Sequence, residues 1–189
     1  MQRFEVGSGQ WIIAKIRSMY MQMFKVFGFF IVLSVLSAGC DKDNKSICNY
    51  DPCALVAPTG EVNDLEDYLD SENITGLVKH CSGFYYEIIT PGSGFAPGVC
   101  NTVYVKYTGK LTNGNTFDSN QNGTAFQLSG LIDGWKKAIP MLKPGGKIKL
   151  YLPPTLGYGS EEIREQYTNN LLIPANSILI FDIELIAVY

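Results

Sequence analysis

Residues 102–118 read Thr-Val-Tyr-Val-Lys-Tyr-Thr-Gly-Lys-Leu-Thr-Asn-Gly-Asn-Thr-Phe-Asp. Apolar and aromatic side chains fall at alternate positions, Val103, Val105 and Tyr107, before an Asn113-Gly114 pair and a second short segment, Phe117-Asp118. Successive side chains of a strand point to opposite faces, so this alternation predicts a half-buried strand over 102–111, and Asn-Gly is a strong hairpin signal. The same reading extends outward. Phe84–Ile89 is a strand ended by the turn cluster Thr90-Pro91-Gly92-Ser93-Gly94. Short extended segments are expected at Thr116–Asp118 and Ala125–Leu128. Ile132–Met141 reads as a single helix, with Asp133 near its start and Pro144-Gly145-Gly146 closing it. Lys147–Leu152 alternates Ile148, Leu150 and Leu152, and Ile178–Val188 alternates Leu179, Phe181, Ile183 and Leu185. The predicted class is α+β: a twisted, mostly antiparallel sheet wrapped around one short helix, over residues 82–189.

The 189 residues allow one ordinary domain plus extensions. A net charge of −3 without any Lys/Arg run argues against a nucleic-acid partner. One histidine and no cluster of His, Cys and Asp at ligand spacing argue against a metal enzyme, and His80 beside Cys81 has no second ligand nearby. Neither a metal nor a cofactor is expected.

The first 39 residues are a different material. Met23-Phe24-Lys25 leads into an apolar run from Val26 to Leu36, then Ser37-Ala38-Gly39-Cys40. This order reads as a secretory signal, too short to span a bilayer. Cys40 after Ala-Gly resembles a bacterial lipobox, in which that Cys is lipid-modified and becomes the mature N-terminus. Ser37 stands where Leu is usual, and an ordinary signal peptide with an incidental Cys is the alternative. Residues 1–22 are read as preceding the true start at Met19, Met21 or Met23. The polar stretch 40–58, broken by Pro52 and Pro58, reads as a tether. Within the extension 59–81, Thr59 is a helix cap for roughly 60–72. Val62, Leu65 and Leu69 form an apolar stripe, and Glu61, Asp64, Glu66 and Asp67 lie early, where the helix dipole favours negative charge. Packing of that stripe on the following domain is its expected use.

Setting Cys40 aside leaves Cys48, Cys53, Cys81 and Cys100, an even number in a chain read as exported, so disulfides are expected. Three pairings are open. Cys48 with Cys53 and Cys81 with Cys100 is the preferred one, since the first would staple a short loop and the second would tie the entrances of two strands. Cys48 and Cys53 are too far apart in sequence for a redox Cys-x-x-Cys motif.

Along residues 82–189, Val103-Tyr104-Val105-Lys106-Tyr107-Thr108-Gly109 is followed by Phe117-Asp118-Ser119 and by Phe126 with Leu128. Next come Leu131-Ile132-Asp133-Gly134-Trp135, then Met141 and Gly145-Gly146-Lys147. The series closes with Leu156-Gly157-Tyr158-Gly159, Ile173-Pro174-Ala175-Asn176 and Phe181-Asp182-Ile183-Glu184-Leu185. In this order and spacing the series resembles the FKBP-type peptidyl-prolyl cis-trans isomerases, the immunophilins that bind tacrolimus. The resemblance implies a hydrophobic pocket for a prolyl side chain. Trp135 would be its floor, with Tyr107, Phe117, Phe126, Ile132 and Phe181 as walls and Leu131 and Ile173 at the rim. The Tyr158 hydroxyl and the backbone N–H of Ile132 would meet a substrate carbonyl. Asp118 would orient Tyr107 or polarise the bound chain. Without the resemblance, Tyr107, Phe126 and Phe181 read as core, Trp135 as a helix anchor and Asp118 as a turn residue. Gly157 stands where Ala is usual, and the 159–172 loop is longer than in the small single-domain members.

The implied function is rotation about X-Pro bonds in exported proteins, in an aromatic pocket and without covalent chemistry. The alternative is a module that holds Pro-containing segments with little turnover. Proline-containing polypeptides are the implied substrates, tacrolimus-like macrolides the implied inhibitors and a monomer the implied state. The expected location is lipid-anchored to a bacterial membrane, on the periplasmic side or the outer surface. Asp41-Lys42-Asp43 after the lipid Cys is similar to outer-surface export signals of Bacteroidetes-like lipoproteins.

Overall fold

The computed structural model describes Cys48 and residues 50–189. The expected signal sequence, Cys40 and the Asp41-Lys42-Asp43 stretch lie outside the described residues. Helix α1 (Thr59–Ser71) precedes β1 (Val78–Lys79), β2 (Tyr85–Thr90), β3 (Thr102–Leu111) and β4 (Thr116–Gln127). Helix α2 (Asp133–Ala138), β5 (Lys147–Leu152), β6 (Ile163–Arg164), β7 (Leu171–Ile173) and β8 (Leu179–Val188) complete the chain. Six strands form one antiparallel sheet in the order β1-β2-β5-β8-β3-β4, while β6 and β7 form a separate hairpin.

Strand β3 alternates between half-buried and buried along all ten residues, as its sequence predicts. Val103, Val105, Tyr107 and Leu111 enter the main core with Ile148, Leu150 and Leu152 of β5 and Leu179, Phe181, Ile183 and Leu185 of β8. Trp135, Ala138, Ile139 and Leu142 close the core on one face of the sheet. A Cβ on Gly134 would stand 2.3 Å from Leu152 Cδ1, so this glycine is what lets α2 lie so close to the sheet.

The opposite face is covered in part by α1. Leu65 and Leu69 pack on Tyr151 and Ile180, which are cross-strand partners on β5 and β8, and Val62 reaches the main core. The acidic side of α1 is also tied down. The Glu61 carboxylate accepts from the Thr155 N–H and hydroxyl, both at 2.7 Å, and Glu66 Oε1 accepts from Lys79 Nζ at 2.7 Å and the Tyr85 hydroxyl at 2.5 Å. Thr59 is not a cap: Pro58, its φ fixed at −54°, takes the cap position, and Thr59 is the first helical residue.

Two segments differ from the sequence expectation for local reasons. The two short segments expected around 116–128 are one twelve-residue edge strand, β4. Its middle is polar and shows no period, because a bulge sets Gln121, Asn122 and Gly123 against Lys106 alone. The single helix expected over 132–141 is α-helical only to Ala138 and continues as a 3-10 turn, Ile139–Met141. Pro140 has no N–H to extend an α-helical ladder.

The disulfide pairing is a correction. Cys48 bonds Cys100 and Cys53 bonds Cys81, with Cα atoms 5.5 and 5.6 Å apart, in place of Cys48–Cys53 and Cys81–Cys100. From Cys48 onward the expected tether is laid across the domain. Tyr50 packs against the core, the Pro52 carbonyl accepts from Lys137 Nζ at 2.6 Å, and the Ala57 N–H donates to the Ser82 carbonyl at 2.9 Å. That path separates Cys48 from Cys53 and brings each to a different part of the domain.

Lys137 is only 2 % exposed. Its ammonium also lies 5.3 Å from the centre of the Tyr50 ring, and the Tyr50 hydroxyl donates to Asp133 at 3.4 Å. Burial, with the nearby Asp133 charge second, pushes the Tyr50 hydroxyl up to about 12, and burial pulls Lys137 down.

Candidate active site

Strands β3, β4 and β8 converge on the face of α2 that carries Trp135, and five aromatic rings meet there. Trp135, 4 % exposed, stands edge-on to Tyr107, Phe126 and Phe181, with ring centres at 5.2, 6.1 and 5.3 Å. Phe117 stands edge-on to Phe181 at 5.6 Å, and Tyr107 and Phe126 are tilted at 6.0 Å. Edge-to-face geometry sets the positive rim of one ring on the negative face of the next, so the cluster is held by specific geometry as well as by burial. Phe117 and Phe126 are only half-buried, so the cluster opens to solvent on the β4 side.

Gly109 makes this arrangement fit. It pairs with Phe181 on β8 and Asp118 on β4, and a Cβ there would stand 2.6 Å from the Phe117 ring and 2.8 Å from that of Phe181. A strand-interior glycine marks such a close approach. In the sequence Gly109 stands within the Val103–Gly109 motif. Its position inside an otherwise alternating strand was the available signal.

The polar groups are few. The Tyr107 hydroxyl donates to Asp118 Oδ2 at 2.7 Å. Burial first, then the hydrogen bond and charge of Asp118, push the Tyr107 hydroxyl well above the ordinary tyrosine range. Burial and then the Asp118 charge also raise Tyr158. Both phenols therefore stay protonated, as donors, at neutral pH. The indole Nε1 of Trp135 is buried without a hydrogen-bond partner among the described residues.

The expected site residues divide as follows. Tyr107, Phe117, Phe126, Trp135 and Phe181 form one ring cluster, and Asp118 joins it through Tyr107. Leu131, Ile132 and Tyr158 are partly buried against the same core. Ile173 is 2 % exposed and lies in the core, deeper than the rim position expected of it. Gln121 was missed. Its Nε2 donates to the Tyr107 carbonyl at 3.0 Å and to Thr108 Oγ1 at 2.9 Å, filling the β3–β4 bulge beside the site. No motif or period marked it, because its role exists only once β4 folds over β3. The segment expected as a loop over 159–172 contains most of the β6–β7 hairpin. Arg164 holds it, bonding Glu162 Oε2 at 2.8 Å and the Asn169 carbonyl at 3.1 Å.

The profile of the family described as FKBP-type peptidyl-prolyl cis-trans isomerase matches residues 96–186. The chain is 38 % identical over 116 residues to the FKBP-type peptidyl-prolyl cis-trans isomerase FkpA of Escherichia coli, covering 60 % of this chain and 40 % of that protein. It is 37 % identical over 116 residues to the outer membrane protein MIP of Legionella longbeachae, covering 60 % of this chain and 47 % of that one. The crystal structure of a peptidyl-prolyl cis-trans isomerase from Pseudomonas syringae superimposes with a TM-score of 0.58 at 31 % identity, covering 70 % of this chain and 96 % of the other. The chain spans less than half the length of the curated relatives it matches. The fold is FKBP-like, and the chain belongs to the FKBP-type peptidyl-prolyl cis-trans isomerase family.

Proposed function

We propose that this protein catalyses cis-trans rotation about X-Pro bonds in exported polypeptides. The observation that carries this reading is the box of Tyr107, Phe126 and Phe181 standing edge-on or tilted around Trp135, open on one side. An X-Pro amide resists rotation because resonance is lost on twisting, a barrier of about 18–20 kcal/mol. The twisted amide has a less polar carbonyl and a pyramidal nitrogen, so an apolar, water-poor box binds it better than it binds the planar ground state. That difference in binding is the catalysis. Each tenfold in rate needs only about 1.4 kcal/mol.

In this reading Trp135 is the floor beneath the prolyl ring, with Phe117, Ile132, Leu131 and Ile173 completing the apolar lining. The Tyr158 hydroxyl and the Ile132 N–H donate to carbonyls of the bound chain, and Asp118 fixes Tyr107. No nucleophile or general base takes part. A tacrolimus-like macrolide would compete for the same box. The signal sequence and Cys40 support export and a lipid anchor, and the outer membrane relative supports a location at a bacterial envelope. Loss of lipid labelling in Cys40→Ala would bear this out, while labelling that survives the substitution would sink it.

The deciding measurement is exchange of a short Leu-Pro peptide by the oxidised protein, with and without tacrolimus. Catalysis abolished by the drug supports the isomerase. Binding without exchange would favour the second reading, a module that holds Pro-containing segments, for which the presence of the β6–β7 hairpin beside Phe117 speaks.

A further inference from the structure

Two strongly exposed aromatic side chains border the start of β3. Phe95, 92 % exposed, is the most exposed large apolar side chain among the described residues, and Tyr189 is 72 % exposed. Asn101 links the loop that carries the first to the second. Its Oδ1 accepts from the Gly98 N–H at 2.8 Å, and its Nδ2 donates to the Tyr189 carbonyl at 3.2 Å. Thr102 exchanges two main-chain bonds with Tyr189, at 3.1 and 2.8 Å. Between Gly98 and Asn101 lies Cys100, which holds Cys48 through its disulfide.

The loop that carries Phe95 is fastened on both sides of it. The Lys143 N–H donates to the Pro91 carbonyl and the Ser93 N–H to the Pro144 carbonyl, both at 3.0 Å, while Pro97 and Val99 are buried. Residues 91–101 contain no charged side chain. Beside them Lys143 is exposed and makes no ion pair among the described residues. Singly exposed apolar residues are ordinary on a protein surface. What sets these apart is where the chain leaves the domain. Cys48 stands eight residues beyond Cys40, and a chain of that length spans at most about 29 Å. With a lipid on Cys40, the disulfide therefore keeps the Cys100 end of the domain close to the membrane. So short a connection makes the local concentration of lipid surface high, and a contact of two side chains is then enough. A phenyl ring and a phenol with its polar tip suit the boundary between headgroups and acyl chains.

We propose that the end of the domain carrying Phe95, Tyr189 and the Cys48–Cys100 disulfide docks on the lipid surface of the membrane that holds the Cys40 anchor. Phe95 enters the acyl boundary and Lys143 meets lipid phosphates. The inference rests on the Cys40 anchor reading above. Docking also orients the prolyl box. Its Phe126 wall pairs with Val103 at the docked end, where Gln127 Nε2 donates to the Cys100 carbonyl at 2.6 Å. Asp118, next to Phe117, pairs with Gly109, about 20 Å further along β3. The open β4 side is left free to receive chains that emerge beside the anchor.

The test places the mature, lipid-modified protein in vesicles of phosphatidylethanolamine and phosphatidylglycerol whose acyl chains carry bromine, which quenches an indole that reaches it. Phe95→Trp and Tyr189→Trp are compared with Tyr167→Trp, at an exposed position between β6 and β7, and with the wild type, whose buried Trp135 supplies the background. Phe95→Trp should lose most of its added emission and shift to the blue, Tyr189→Trp should lose less, and Tyr167→Trp should be unaffected. The proposal is overturned if bromine quenches Phe95→Trp no more than Tyr167→Trp. It is also overturned if Phe95→Trp shifts to the blue without quenching while two copies crosslink through this end, which would assign the face to a second copy. Mass spectrometry of the exported protein decides the anchor separately. If Cys40 carries no lipid, it is the anchor reading that has failed. Coupling the Cys40 thiol to a maleimide lipid in the same vesicles then decides the docking face: quenching at Phe95→Trp supports it, and its absence overturns it.

Discussion

The Tyr107 hydroxyl and the Asp118 carboxylate are 2.7 Å apart, a bond between the third strand and the edge strand that crosses beside it. The two residues oppose different partners in the sheet, Asn120 and Gly109, so only their side chains connect them. The bond fixes the hydroxyl of a ring that also stands edge-on to Trp135.

If that bond orients the wall of the prolyl box, Asp118→Ala and Tyr107→Phe should each lower kcat/KM about tenfold, equivalent to about 1.4 kcal/mol. The double variant should fall hardly further than either single one. Peptide exchange rates for the four proteins of this cycle provide the check, and fully multiplicative losses would show that the two residues act separately.

Gly109→Ala introduces a methyl where the Phe117 and Phe181 rings already crowd the strand. Overpacking of this kind costs about 1–3 kcal/mol. A lowered urea midpoint, a changed near-ultraviolet spectrum of the aromatic cluster and a loss of prolyl binding are expected together. A variant of unaltered spectrum and activity would mean that the ring positions are not limiting.

Peptide mapping of the unreduced protein should recover Cys48 joined to Cys100 and Cys53 joined to Cys81. Replacing Cys53 and Cys81 together by Ser should lower unfolding free energy by about 2–4 kcal/mol, since the bond closes a long loop in the unfolded chain. Urea denaturation under oxidising conditions measures this. Recovery of Cys48 joined to Cys53 would refute the strap geometry.

His80 stacks on Phe84 with ring centres 4.3 Å apart, and its Nδ1 accepts from the Ser82 N–H at 3.2 Å. Burial first, and then the charge of Lys137, lower its pKa below the ordinary 6.5. Above pH 6.5 the ring is neutral whether folded or unfolded, and this contribution to stability is complete. As the pH falls through 6.5 the unfolded chain binds a proton that the folded one does not yet take, so stability declines until the folded pKa is passed. The urea midpoint should therefore be lower at pH 5.5 than at pH 7.5. His80→Gln should flatten that slope, and an unchanged slope would assign it to other groups.

The sheet was legible because its strands carry their own period. Thr102–Leu111 and Lys147–Leu152 appear with the boundaries their alternation predicts, since both bury one face against the same core. The Val62, Leu65 and Leu69 stripe of α1 is buried for the same reason. Strand β4 was legible only at its ends. Residues 119–124 are polar, and what makes them a strand is pairing across a bulge to β3. The Asn113-Gly114 hairpin forms as a four-residue connection in which only Gly114 takes a positive φ, +83°, a choice that depends on how the two strands meet.

Alternation along the strands made the class of fold legible, and the order of the motifs pointed, through the family resemblance, to the aromatic residues that cluster around Trp135, because both can be read from short stretches of the chain. Tertiary structure alone decided which cysteines bond, that Gly109 makes room for two rings, and that Gln121 braces Tyr107 from the edge strand. Each of these depends on groups far apart in sequence meeting within a few ångströms, and no local pattern of residues encodes which of the compatible partners the folded chain brings together.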